Sequence, residues 1–284
     1  MEKEKKRVAG ISVLAAIFLT GFKLVIGILT GSLGILSEAL HSALDLVAAV
    51  ITYFTVRISD KPADKHHHFG HGKTENFSAL LETILLIITC VWIVYEAVNR
   101  LVSGNTHIQV TVWSYVVVIT SIVIDVSRSR ALYKVARKYN SQALEADALH
   151  FSTDIWSSAV VLVGLLCANF GFYAADSIAA LGVAIIVLTI SYRLGKKAIN
   201  VLLDRSPVTL SDEIASIIQL IPEVLYFHDL KVRVAGADTF VNVTIHLDPD
   251  LNITEAHAIS HKVDSVICAR IERCEVHVHY EPAE

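Results

Sequence analysis

Charge is scarce in this 284-residue chain. Asp, Glu, Lys and Arg together make 18% of it, against 54% hydrophobic residues and a mean hydropathy of +0.55. So little charge excludes an ordinary soluble protein of this length and points to a membrane protein. Cysteine is scarce too. Cys90, Cys167, Cys268 and Cys274 form no CxxC pair and no zinc-finger spacing. That argues against a disulfide framework and a thiolate metal site, and all four read as small buried hydrophobes. The first apolar run lacks a small-residue cleavage site and is too long for a signal peptide, so we expect it to be retained. Lys and Arg are missing from three of the links between apolar runs, near 31–32, 103–109 and 171–175.

A spanning helix needs about 20 apolar residues. Six segments qualify: 8–30, 33–56, 77–98, 110–126, 149–170 and 177–192. Lys3, Lys5, Lys6 and Arg7 precede the first. Arg57, Lys61, Lys65 and Lys73 lie between the second and third. Arg128, Arg130, Lys134, Arg137 and Lys138 follow the fourth, and Arg193, Lys196 and Lys197 follow the sixth. Arg100 is the exception near an otherwise uncharged link. The alternation predicts six spans with both termini on the cytoplasmic side. After a connector ending at Pro207 the chain reads as a soluble domain. A helix capped by Ser211 runs to about Leu220. Strands at 225–234 and 239–247 flank a turn at Gly236. A helix capped by Thr254 precedes a last strand at 275–280. The expected architecture is an α-helical membrane protein, with a six-helix transmembrane domain (1–205) and a small αββαβ domain of the α+β class (206–284). A core for roughly 80 residues is slim, and oligomerisation would support it.

Two nearly matching stretches organise the chain. Glu38-Ala39-Leu40-His41-Ser42-Ala43-Leu44-Asp45 recurs as Asp147-Ala148-Leu149-His150-Phe151-Ser152-Thr153-Asp154. His to Asp is one helical turn, so both side chains share a face, and the acid three residues before each His shares it too. Two such helices can surround a divalent cation with four ligands of mixed N and O type. A charge at mid-bilayer costs on the order of 2.5–3.5 kcal/mol, so these groups must face the bundle interior, water or a metal. Glu82 and Asp125 read equally well as glue between helices. Lys23 reads as snorkelling or paired. The link 62–73 gathers Asp64, His66, His67, His68 and His71, a set suited to a borderline metal or to a solvated polar loop. In the tail, His228 and His246 fall on strands and His257 on a helix. His277, His279 and Glu281 lie at the end, where surface histidines are the competing reading.

These motifs together resemble the cation diffusion facilitator family of divalent-metal transporters over essentially the whole chain. The carriers are the two His-x3-Asp copies, Pro62-Ala63-Asp64, Phe69-Gly70-His71-Gly72-Lys73, the run from Asn140 to His150, His228-Asp229-Leu230 and His246. The resemblance implies a homodimer in the cell's inner (plasma) membrane with a metallochaperone-like cytoplasmic domain, no enzyme activity and no nucleic-acid partner. It implies a transport site of His41, Asp45, His150 and Asp154 and a loop site of Asp64, His67 and His71. It further implies a tail cluster near the dimer contact, from His228, His246, His257, His279 and Glu281. Lys73 and Asp204 match a charge interlock between protomers. Members with Asp in place of His41 tend to accept cadmium, so His41 favours Zn2+ as cargo, with H+ as the coupling ion. Glu281 stands where other members have Asp. Iron, manganese, cobalt and nickel are alternative cargoes. A non-transporting metal-sensing scaffold is an alternative class. A membrane metallohydrolase would need a general acid or base and a substrate cavity, and the sequence displays neither.

Overall fold

A computed structural model describes residues 2–31, 33–103, 112–168 and 174–284. The links at 104–111 and 169–173, with the side chains of Arg100 and of 164–179, Cys167 included, lie outside the described residues. The chain falls into two compact units, residues 1–61 with 74–198 and residues 62–73 with 199–284.

The first unit is six helices: α1 (Glu2–Thr30), α2 (Leu33–Ser59), α3 (Thr74–Ser103), α4 (Val112–Tyr139), α5 (Gln142–Ala168) and α6 (Ala174–Leu202). At 1.5 Å per residue, helices of 27 to 30 residues reach roughly 40–45 Å, beyond a hydrocarbon core of about 30 Å. Among the described residues four helices, α1 to α4, are long and apolar enough to cross a membrane. α4 outlasts its apolar segment because Leu132, Val135 and Ala136 carry a buried stripe onward. That stripe packs with Ala9 and Ala16 of α1, Ala49 of α2, and Ala143, Ala148 and Phe151 of α5. Small residues at these crossings let the helix backbones approach closely. On the far side, Leu86 and Cys90 of α3 pack with Val183, Ala184 and Val187 of α6.

The burial pattern is inverted relative to a soluble protein. Leu29 is 77% exposed, whereas Lys5 is 1% exposed. A bilayer imposes this inversion, since apolar side chains face lipid at no cost while polar groups must find one another inside. Lys5 of α1 meets Asp60 at 2.6 Å and Glu75 at 2.9 Å, and Ser59 donates to Glu75. One buried cluster thereby ties α1 to the end of α2 and the start of α3.

The second unit contains α7 (Val208–Gln219), β1 (Tyr226–Ala235), β2 (Asp238–Leu247), α8 (Ile253–Arg270) and β3 (Cys274–Pro282). β2 is central, antiparallel to β1 and parallel to β3. The parallel pair requires a crossover, which α8 supplies. Ile214, Ile217 and Ile218 of α7 and Val263 and Ile267 of α8 pack on Val241, Val243 and Ile245 of β2. Both expected helix caps are displaced. α7 starts after Pro207, which stands at the N-cap with extended backbone and no side-chain cap, and Ser211 sits inside the helix. α8 is capped by Asn252, which accepts from the Thr254 and Glu255 amides while Glu255 reaches back to the Asn252 amide. An amide at the cap with Glu three residues on is the stronger signal, and it outranks Thr254. Cys90 is buried. Cys268 and Cys274 are only partly so, and Cys268 donates to Asp264 and to the Cys274 carbonyl.

The loop 62–73 packs within this second unit although it joins α2 to α3. Phe69 meets Phe240 edge-on at 5.3 Å, under the Arg233 guanidinium at 3.8 Å. Lys73 pairs with Asp204 at 2.8 Å within the chain. Gly72 lies against the β1–β2 turn: a Cβ there would stand 2.1 Å from the Ala235 carbonyl oxygen. Gly72→Ala must therefore displace the loop, at a cost of about 1–3 kcal/mol. The expected outcome is a lower melting temperature for the tail, with faster proteolysis between residues 62 and 73. Unchanged melting and cleavage would show that the approach is not close.

Candidate metal centres

Each His-x3-Asp copy lies on one helix, α2 for the first and α5 for the second, and the two meet crosswise. His41 Nε2 is 3.7 Å from Asp154 Oδ1 and 4.0 Å from Asp45 Oδ1. His150 Nε2 is 3.0 Å from Asp45 Oδ1 and 3.7 Å from Asp154 Oδ2. His41, Asp45 and Asp154 offer ligand atoms all within 4.8 Å of one another. His150 adjoins that trio through both carboxylates. Asp45 and His150 are buried, and His41, Asp45 and Asp154 line a cavity whose other lining includes Lys23, Glu38, Ser42, Ser121, Asp125 and Arg128.

The acids that precede each histidine differ from copy to copy. Glu38 accepts from Lys23 at 3.2 Å, whereas Asp147 accepts from Ser12 at 3.3 Å and is wholly buried. Neither joins the ligand trio. The sequence reading missed Arg128, which it counted as a flanking charge after the fourth span. Arg128 is buried, lies 3.3 Å from Asp125, donates to Ser12 at 3.1 Å and stacks 3.5 Å above the Phe151 ring. Its spacing of three from Asp125 was the available signal, since i and i+3 share a helix face.

In the loop, Asp64, His67 and His71 offer atoms within 4.8 Å of one another. His67 Nδ1 is 3.2 Å and His71 Nε2 3.5 Å from the Asp64 carboxylate. His66 and His68 stand outside this trio, and His68 Nε2 lies 3.2 Å from the Lys65 carbonyl. In the tail, sheet register does the assembling. His246 on β2 is opposite Glu281 on β3, and β1 brings His228 alongside. His246 Nε2 is 3.5 Å and His228 Nε2 3.9 Å from Glu281 Oε2, while His279 Nε2 is 3.3 Å from Oε1. The His246 Nε2 atom is buried without a hydrogen-bond partner, as a nitrogen suited to a cation would be. A bulge after His228, with Asp229 at φ +53°, turns the strand there. His257 stands apart from this group, its ring 4.5 Å from that of His261 on the same helix.

A helical membrane unit with buried N and O donors, joined to a small α+β domain, describes a multi-pass membrane protein with candidate cation sites. Residues 9–203 match the family model of the cation efflux transmembrane domain, and residues 207–283 match that of the cation efflux protein, cytoplasmic domain. The chain belongs to the cation diffusion facilitator family, and it is a transporter for divalent-cation efflux rather than an enzyme. It is 30% identical to the cation-efflux pump FieF of Yersinia enterocolitica, over 99% of this chain and 95% of that one. It is 32% identical to the FieF of Shigella boydii serotype 18, over 89% and 84% respectively. The tail is similar to the MamM CTD in a nickel form at 29% identity, covering 28% of this chain and 100% of that chain, with a TM-score of 0.26.

The Asp64 carboxylate accepts from the backbone amides of His66 at 2.8 Å and His67 at 2.7 Å, which with the His67 ring hold its pKa down at about 2. Donors aimed at the charged form favour that form. The sign follows. The folded loop is favoured above the ordinary carboxylate range near 3.9, and this contribution is lost as pH falls through about 2. A carboxyl 13C titration of Asp64 should have its midpoint near 2. A midpoint at the ordinary value would mean that the turn is not held.

Proposed function

We propose that the protein exports Zn2+ in exchange for protons by alternating access, with His41, Asp45, His150 and Asp154 as the transport ligands. The observation that carries this reading is the crossed contact, in which each histidine lies against the carboxylate of the other helix. Zinc has no geometric preference of its own and accepts four N and O donors. Two carboxylates cancel its charge and lower the cost of burying it. Imidazole binds metal only when neutral, so protons from the outer side compete with the ion at His41 and His150. At cytoplasmic pH the same rings shed protons and bind. Rocking of the helices that carry the ligands would expose the site to each side in turn.

In this reading residues 1–205 form a six-span transport domain in the inner (plasma) membrane, with both termini cytoplasmic. The alternation of Lys and Arg among the links supports that orientation. Residues 206–284 form a dimerisation domain. Asp64, His67 and His71 gather metal at the loop. His228, His246 and Glu281, with His279 beside them, bind it in the tail. Metal there tightens the homodimer by mass action as cytoplasmic zinc rises.

In sealed vesicles, Asp154→Ala should abolish zinc uptake driven by a pH gradient. Unchanged flux would reject the ligand assignment, and wild-type flux indifferent to the gradient would reject proton coupling. In a competitive metal panel by calorimetry, His41→Asp should gain affinity for cadmium relative to zinc. An unaltered preference would leave the histidine no part in choosing the cargo.

A further inference from the structure

We infer that Lys23 and Arg128 set the net charge of the transport cavity, so that the emptied site presents the two negative charges that one divalent ion cancels. The inference rests on the reading of Asp45 and Asp154 as cargo ligands. Among the described residues that line the cavity are four carboxylates, Glu38, Asp45, Asp125 and Asp154, two permanent cations, Lys23 and Arg128, and the His41 imidazole, counted in the neutral form that binds metal. Each cation has an acid of its own. Lys23 Nζ donates to Glu38 at 3.2 Å and to Ser42 at 2.8 Å, and Arg128 Nη1 donates to Asp125 at 3.3 Å. Each cation thus pairs with a carboxylate that is not a cargo ligand, which leaves Asp45 and Asp154 for the ion.

The burial of Lys23, Arg128 and Asp125 is what gives the count its force, Glu38 being the half-exposed member of its pair. Lys23 is 5% exposed and Arg128 and Asp125 are each 6% exposed. A snorkelling lysine would carry its ammonium to the interface. Lys23 instead holds it between α1 and α2, one residue from His41 by way of Ser42. Asp147 and Glu82 are buried behind this wall, held by Ser12 and by Thr52, and do not line the cavity. Where water is scarce a single unmatched charge acts strongly over several ångströms. Loss of Lys23 therefore leaves an excess negative charge on the loaded site, which binds the ion tightly and releases it slowly. Loss of the Asp125 charge does the opposite. Pairs that served only to glue helices together would have no such signed effect.

The test is zinc uptake by the full-length protein in sealed vesicles, with KM and kcat measured separately. Lys23→Met should lower KM about tenfold or more and slow turnover, and Asp125→Asn should raise KM by a similar factor. The double variant should return KM to within about threefold of wild type, and Lys23→Arg, which keeps the charge, should stay there too. Single variants that shift KM in the same direction, or a double variant that does not return, would overturn the inference. Asp154→Ala is measured alongside. If it abolishes flux while the charge variants fail the pattern, the cargo ligands stand and only the charge-setting role falls. If it transports normally, the reading beneath both is wrong. Should Lys23→Met fail to reach the membrane, Lys23→Gln supplies the same loss of charge, and a KM left unmoved by Lys23→Gln and Asp125→Asn equally overturns the role.

Discussion

Ionised groups removed from water must be answered by other ionised groups, and the crossed histidine and carboxylate contact between α2 and α5 is where this protein meets that demand most acutely. A carboxylate among membrane helices is tolerable only with a partner close at hand. Asp45 finds His150 at 3.0 Å, and Asp154 lies 3.7 Å from His41. The same rule recurs elsewhere in the bundle. Lys5 answers Asp60 and Glu75 at one end, and Arg128 answers Asp125 beside the cavity. Small residues at the crossings make this possible, because side chains as short as aspartate meet only when backbones approach closely. Alanines at 9, 16, 49, 136, 143 and 148 are as much a part of the polar chemistry as the charged residues.

How much of this could be read in the chain depends on the distance over which the signal acts. The duplicated His-x3-Asp pair was legible because four-residue spacing fixes a helix face irrespective of the rest of the fold. The αββαβ order of the tail was legible from alternation and from turn residues such as Gly236. Partnerships across the bundle were not legible. Arg128 looks like a flanking charge because its position after an apolar run is all that the local pattern records. Only the extension of α4 to Tyr139 places it in the interior, and that extension is caused by packing against α1 and α5. Lys23 was ambiguous for the same reason. Its long arm allows either an interfacial or a buried ammonium, and the choice belongs to Glu38 and Ser42 of a neighbouring helix.

The repeat is also less symmetric than it looks in letters. Both copies carry an acid one turn before the histidine, and helix geometry puts that acid on the ligand face in each. Yet Glu38 looks into the cavity toward Lys23, while Asp147 turns to Ser12 in the interior. Glutamate has one more methylene than aspartate, and the neighbouring helices offer an ammonium in one case and a hydroxyl in the other. The caps of α7 and α8 are a smaller instance. Candidates one or two residues apart compete, and backbone stereochemistry at Pro207 and the reciprocal bonds of Asn252 and Glu255 decide between them.

The packing of the 62–73 loop has a consequence for how the molecule is made. Phe69 rests on Phe240 and beneath Arg233, and Gly72 on the turn at Ala235, yet all of these partners are translated long after the loop itself. At ribosomal speeds of roughly 5–20 residues per second, the loop histidines emerge on the order of ten seconds or more before the surfaces that hold them. A nascent chain thus inserts its early helices with this segment still unfastened, and fastening it is one of the last acts of biosynthesis.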